Sequence, residues 1–316
     1  MTEYDIPDTM RAISQDILGG PEVLHEIELP VPRPGPSELL IRVHATGLNP
    51  TDWKHRAYGG LSGLKPPFTL GWDVSGEVVA TGYGVTIFAP GDEVFGMLPY
   101  PHGHGAAAEY VVAPARALTR KPKNFDHIQA AATPLAALTA RQVLIDTANL
   151  QPGQRVLVHA AAGGVGHFAV QIAKAHGAYV IGTASTPNHD LLRELGADEV
   201  IDYRTTDVAA TVTDIDVVLD PLGGDSALGS LRTLRPGGVV VSLLPVPEAA
   251  HAAAGVRAAV LLVEADHAGM TALADLAEAG RLRPTIAGVF PLAEAAKAHA
   301  LGETNRTAGK LVLTVR

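Results

Sequence analysis

Short alternating or β-branched runs fill the stretch from Ile27 to about Val112 (ELLIRVHA, SGEVVATG, DEVFGML, AEYVVA), separated by Pro and Gly clusters such as PVPRPGPSE and KPPFTLG. Alternation punctuated in this way predicts a β-rich domain. From about Asp126 the pattern changes to apolar runs of four to six residues alternating with segments of helical period, which specifies a parallel sheet covered by helices. Six strands are predicted there: Arg155 to Ala160, Tyr179 to Ala184, Glu199 to Tyr203, Ile215 to Asp220, Gly238 to Leu244 and Ala258 to Ala265. Six such strands suit a doubly wound nucleotide-binding fold. The alanine-rich stretches Gln129 to Ala140 and Ala249 to Ala254 read as helices or helix starts.

After Asp266 a helix-like stretch, a strand-like TIAGVF, a short helix near Ala293 to Ala300 and a final strand KLVLTV bring the β style back. The expectation is an α/β protein in two domains. A discontinuous β-rich domain spans residues 1–124 and 266–316, and a Rossmann-type six-stranded parallel sheet occupies 125–265 between them.

The first predicted strand runs into HAAAGGVG (His159 to Gly166), and an amphipathic helix follows at once. A small residue at Ala161 allows the tight turn. Gly163 lets the backbone approach a pyrophosphate, and Gly166 lets helix and strand pack closely while helix N–H groups face the anion. The strand–turn–helix context is the one the motif requires. Ala162, Gly163, Gly164, Val165 and Gly166 are therefore candidate cofactor residues. An NAD site would place Asp or Glu at the end of the second strand, about 20 residues on, to take the ribose hydroxyls. Ala184 stands there, 21 positions after Gly163 (184 − 163), followed by Ser185, Thr186, Asn188 and His189 before the first acid. Hydroxyl, amide and imidazole donors accept a 2′-phosphate that a carboxylate would repel, so NADPH is the expected cofactor, held by Ser185, His189, Tyr203 and Arg204 nearby. Helix capping is the alternative role for Ser185 and His189.

Composition narrows the chemistry. There is no cysteine in 316 residues, which excludes disulfides, iron–sulfur clusters, thiolate nucleophiles and cysteine-liganded zinc. With 33 acidic against 24 basic side chains the net charge is −9, and phosphate backbones would be repelled, so nucleic acid is not an expected partner. The acidic start MTEYDIPDTMR lacks a secretory pattern, and the longest apolar run, Ala258 to Val263, is far short of the roughly 20 residues that span a bilayer. A cytoplasmic protein acting on a small molecule, with no membrane role, is expected.

HAAAGGVG, QIAKAHGA, LGADEVIDY and GGVVVSLL, with GLNPTDWK, LGWDVSGEVVATG, PGDEVFG and GAAAEYV in order before them, resemble the quinone oxidoreductase branch of the medium-chain dehydrogenase/reductase superfamily. The resemblance covers essentially the whole chain and implies a GroES-like fold for the β-rich domain. Zinc-dependent members resemble this plan with a Cys in the first motif and Gly-His-Glu in the second. Here Asn49 to Asp52 contain no Cys, and Trp72 and Asp73 replace the His-Glu pair. No metal is expected, although His102 and His104 form a His-Gly-His pair. By the resemblance Asn49 faces the nicotinamide and substrate, and Thr139 lies near the nicotinamide end of the cofactor, with Thr133 six residues earlier; a core helix position is the alternative for either threonine. Lys54 stands where the family often has Tyr. It either donates a proton, more effectively if buried, or is a solvated surface lysine. Leu222 and Leu244, at strand C-terminal ends, are candidate cofactor contacts through backbone or apolar atoms.

The expected activity is NADPH-dependent hydride transfer to a quinone or other activated carbonyl or alkene. A biosynthetic enoyl or enone reductase and a catalytically silent NADPH-binding protein are the alternatives. The resemblance further implies a homodimer through the edge strand Ala258 to Val263, since an open apolar edge invites pairing.

Overall fold

The computed structural model describes residues 5–103 and 105–316. It contains two compact units: one comprises the chain through Leu135 with Glu264–Gly280 and Pro284–Arg316, the other Ala136–Val263 with Arg281–Arg283.

The first unit carries β1 (Thr9–Gln15), β2 (His25–Pro30), β3 (Glu38–Leu48), α1 (Pro50–Tyr58), β4 (Phe68–Thr69), β5 (Asp73–Thr81), β6 (Glu93–Met97), β7 (Tyr110–Pro114), β8 (Leu118–Arg120) and α2 (His127–Ala131). β3 is its spine. Its eleven residues pair with β5 along one edge and with β7 and the final strand of the chain along the other, and ELLIRVHATGL is buried almost throughout. The alanine-rich stretch 129–140 is two helices rather than one, because Pro134 cannot continue α2 and instead opens α3 (Pro134–Arg141). A π-helical segment, Gln142–Thr147, continues from α3. Residues 125–135, expected with the nucleotide domain, belong to the β-rich unit. Ala131 and Ala132 pack with Ala45 and Val312 in its core.

The second unit carries β9 (Arg155–Val158), α4 (Gly166–Ala175), β10 (Tyr179–Thr183), α5 (His189–Glu194), β11 (Glu199–Ile201), α6 (Val208–Thr211), β12 (Ile215–Asp220), α7 (Gly224–Ser230), β13 (Leu234–Ser242), α8 (Glu248–Ala253) and β14 (Arg257–Val260). The strand order is β11-β10-β9-β12-β13-β14, all pairs parallel, with the reversal beside β9. One rung, Ile181–Leu157–Val218–Val240, crosses four strands in register and forms the middle of the core. Buried on both faces, these strands are continuous apolar runs rather than alternating ones. Five of the six expected strands end early, β9 at Val158, β10 at Thr183 and β13 at Ser242 among them. β11 stops at Ile201, where Asp202 turns the chain, and β14 stops at Val260, leaving Leu262 exposed beyond it.

The chain then returns to the first unit with α9 (His267–Glu278), β15 (Ile286–Pro291), α10 (Ala295–Glu303) and β16 (Lys310–Thr314). β16 lies antiparallel to β3 with Leu311 opposite Leu48, completing the seven-stranded sheet; β2, β1 and β4 form a separate small one.

Candidate functional site

In the second unit β9 ends at Val158, and Ala160, at φ 47°, turns the chain out of the sheet. The Gly163 N–H donates to the Ala160 carbonyl at 2.8 Å and closes the turn. Gly166 must be glycine: a Cβ there would stand 2.3 Å from the Ala160 oxygen and 2.6 Å from the Ala161 Cα. At Gly163 a Cβ would meet only the Ala160 oxygen, at 3.1 Å, so the rest of its surroundings are open. Ala162 is buried, and Gly163, Gly164 and Val165 are half-buried. Open space beside a glycine, in front of the N-terminus of a ten-residue helix, fits a pyrophosphate. The turn is anchored by His159, whose Nε2–H donates to Ser230 Oγ at 2.7 Å while its Nδ1 lies 3.3 Å from the Thr183 hydroxyl. Burial pushes the His159 pKa down, so this anchor is a neutral imidazole.

At the end of β10, Ala184 is buried, and Ser185 and His189 are half-buried. Ser185 Oγ accepts from Asn188 Nδ2 at 3.4 Å. His189 Nε2 lies 3.3 Å from the Ala184 carbonyl, which can only accept, so Nε2 carries the proton. Neither residue makes a side-chain cap of the following turn, and both sit at the strand end where a ribose 2′ substituent is recognised in this fold. Asp202 was not singled out from the sequence. Its carboxylate accepts from the Thr186 hydroxyl, from the Thr186 N–H at 2.9 Å and from the Arg204 N–H at 2.9 Å. The Thr186 hydroxyl holds its pKa below the usual carboxylate value. This acid is thus committed to the loop rather than to the strand end. Tyr203 is exposed, with the Arg204 guanidinium 5.8 Å from its ring centre. Leu222 and Leu244 are exposed. Their N–H groups are already used, by Asp220 Oδ1 at 2.7 Å and Ser242 Oγ at 3.1 Å, which leaves side chains and carbonyls for a ligand. Thr139 is buried in α3.

The first unit holds a different centre. Asn49 precedes α1 and is buried; its Nδ2 donates to Asp73 Oδ2 at 2.9 Å and its Oδ1 accepts from Lys310 Nζ. Lys310, also buried, donates to the Leu48 carbonyl at 2.8 Å and pairs with Asp73 Oδ2 at 3.4 Å. The other oxygen of Asp73 accepts from the Leu135 N–H at 2.7 Å, an orphan donor in the first turn of α3. Asp52, in the first turn of α1, accepts from the N–H groups of Asn49 at 2.7 Å and Gly71 at 3.0 Å. Burial, with a smaller push from Asp73, drives the Asp52 pKa up to about 7. Burial also raises Asp73 and lowers Lys310, while the attraction between their charges opposes both shifts and favours the ion pair.

Lys54 points elsewhere. It is exposed on α1, so the burial that would favour proton donation is absent, and the lysine that reaches the Asn49 amide is Lys310. Thr133 spends its hydroxyl on the Gln129 carbonyl at 2.8 Å. His102 is exposed and His104 lies outside the described residues. Among the described residues no group of three His, Asp or Glu side chains is placed to hold a metal ion. Asp73, which stands where zinc-dependent relatives have Glu, is occupied by an ammonium and by N–H donors.

A Rossmann sheet with an open glycine turn defines a dinucleotide-binding protein, and the β-rich unit with its buried Asn–Asp–Lys centre gives it the two-part plan of a dehydrogenase or reductase. Residues 35–123 match the Alcohol dehydrogenase GroES-like domain family and residues 195–313 the Zinc-binding dehydrogenase family. The chain is 34% identical to the chloroplastic Quinone-oxidoreductase QR1 of Triphysaria versicolor, over 96% of this chain and 98% of that one. The solved quinone oxidoreductase from Coxiella burnetii superposes with a TM-score of 0.90 at 38% identity, covering 98% and 100% of the two chains. A mycobacterial protein, Rv1454c, solved in complex with NADPH, superposes with a TM-score of 0.86 at 31% identity over 97% of this chain and 100% of that one. The chain belongs to the quinone oxidoreductase branch of the medium-chain dehydrogenase/reductase superfamily and is an NAD(P)H-dependent oxidoreductase.

Proposed function

We propose that the protein reduces a quinone or another activated carbonyl or alkene with NADPH, without zinc. The observation that carries the reading is the end of β10: a buried Ala184 where an NAD site needs a carboxylate, with the Ser185 hydroxyl and His189 imidazole beside it, and with Asp202, an acid of the adjoining strand end, tied to Thr186. When bound, the nicotinamide supplies the hydride. The chain's own residues bind and orient. The Gly163–Gly166 turn and the α4 N-terminus hold a pyrophosphate, Ser185 donates to a 2′-phosphate, and Asn49 directs a hydrogen bond at the reacting end. Electron-poor acceptors suit such a site, because they spread the incoming charge onto oxygen without a Lewis acid. Lys310 places a cation beside the Asn49 amide and pairs with Asp73.

NADPH oxidation against a panel of quinones, enones and aldehydes tests this. Turnover with quinones or enones and little with simple aldehydes is expected; no turnover with any acceptor would make the protein a silent NADPH binder. Hydrogen bonds to a charged group contribute about 1.5–3 kcal/mol, so wild type should favour NADPH over NADH by roughly ten- to a hundredfold in kcat/KM. Ala184→Asp should bring that preference to about one or below. We also propose a homodimer through the edge of β14, the outermost strand, where Val260 at its end and Leu262 just beyond it are each 54% exposed.

A further inference from the structure

We propose that Lys310 and Asp73 are positioning residues that fix the Asn49 side-chain amide in one orientation, so that Asn49 presents a hydrogen-bond donor to a carbonyl oxygen of the ligand. The inference rests on the proposed role of Asn49 at the reacting end.

The donor and acceptor inventory settles the orientation. An ammonium has only protons to give, so the amide atom facing Lys310 Nζ is the oxygen. An ionised carboxylate only accepts, so the atom 2.9 Å from Asp73 Oδ2 is the nitrogen. The two partners are themselves paired, at 3.4 Å, and each has an anchor on backbone: Lys310 on the Leu48 carbonyl, Asp73 on the Leu135 N–H. A flipped amide would set its NH2 against the ammonium and its oxygen against the carboxylate, losing two charge-assisted hydrogen bonds and creating two repulsive contacts. With Oδ1 taken and one Nδ2 hydrogen spent on Asp73, the second N–H is the one position of the amide left to give. It can serve only an acceptor, either the carbonyl oxygen of a quinone or enone or the carboxamide oxygen of a nicotinamide. A developing enolate or hydroquinone oxygen gains charge during hydride transfer, so a donor held in place there acts more strongly in the transition state than before it. All of the anchors lie in the same unit as Asn49, and Lys310 is brought to it by the β3–β16 pairing.

The test uses the full-length protein with NADPH and 1,4-naphthoquinone, and two readouts. In Lys310→Met, kcat should fall about thirtyfold or more, as expected for a charge-assisted contact made in the transition state, and Lys310→Arg should restore part of it. An unchanged Kd for NADPH with this fall assigns the oxygen to the quinone; a matching rise in Kd assigns it to the nicotinamide carboxamide. Lys310→Met alone leaves a buried carboxylate unpaired, so the double variant Lys310→Met with Asp73→Asn is made as well. It removes both charges, and its stability should recover while kcat does not. The second readout needs no substrate. The Asn49 side-chain 15N–1H signals, identified by their loss in Asn49→Asp, should shift strongly in the Lys310→Met spectrum. Unmoved Asn49 signals, or a kcat that returns with stability in the double variant, would overturn the assignment. A wild type that reduces no quinone or enone sinks the proposed function alone and leaves the amide readout to decide this one.

Discussion

Asp52 carries a pH signature. Its pKa is driven up by burial to about 7, against about 3.9 in an unfolded chain, so between those values the folded protein binds a proton that the unfolded chain has released. Stability from this group is full below about pH 4 and is lost as pH rises towards about 7. Urea midpoints at pH 5 and pH 8 should therefore differ less in Asp52→Asn than in wild type. An equal difference in the two proteins would show that Asp52 does not titrate in this range. Gly166 makes a second residue-scale prediction. Because a Cβ would sit 2.3 Å from the Ala160 oxygen, Gly166→Ala should cost about 1–3 kcal/mol and weaken NADPH binding, read by thermal melts and isothermal titration. The glycine turn and the missing acid at Ala184 were legible in the sequence, because a close approach demands glycine at a fixed spacing and a strand end falls at a fixed distance. Lys310 was not. It stands 261 residues from Asn49, and only the strand register brings them together. The one local signal was a lysine heading the otherwise apolar strand KLVLT, where a charge must find a partner if the strand is buried.

Individual elements are tied to this centre. α1 begins where Asp52 accepts the Asn49 N–H, and α3 begins where Asp73 accepts the Leu135 N–H, so one buried acid cluster sets the starts of two helices. Asp73→Ala should remove the α3 cap and leave the Lys310 ammonium unpaired, a loss of about 3–5 kcal/mol measurable by urea denaturation. A loss within about 0.5 kcal/mol would show that neither contact contributes to stability. Strand positions were readable where apolar runs are bounded by polar ones, as with Ile215–Asp220, found at its expected limits. They were less readable where a side chain ends the strand: Asp202, by taking the Thr186 and Arg204 N–H groups, cuts β11 short of Tyr203. The break of 129–140 into two helices follows from Pro134, whereas the membership of residues 125–135 in the β-rich unit depends on the packing of Ala131 and Ala132 against Ala45 and Val312.

At the scale of the whole molecule, the dimer proposed through the β14 edge predicts a solution mass near twice that of the chain, and Val260→Lys should shift it to the monomer by placing a charge on the pairing edge. Light scattering on both proteins checks this, and a monomeric wild type would refute the dimer. The central claim is an NADPH-dependent reductase that needs no zinc. Its most direct test is the ratio of kcat/KM for NADPH and NADH with a quinone acceptor, taken before and after dialysis against a chelator. A preference for NADPH of about tenfold or more, unchanged by chelation, is predicted. Equal efficiency with the two cofactors, or activity lost with the metal and restored by zinc, would contradict it.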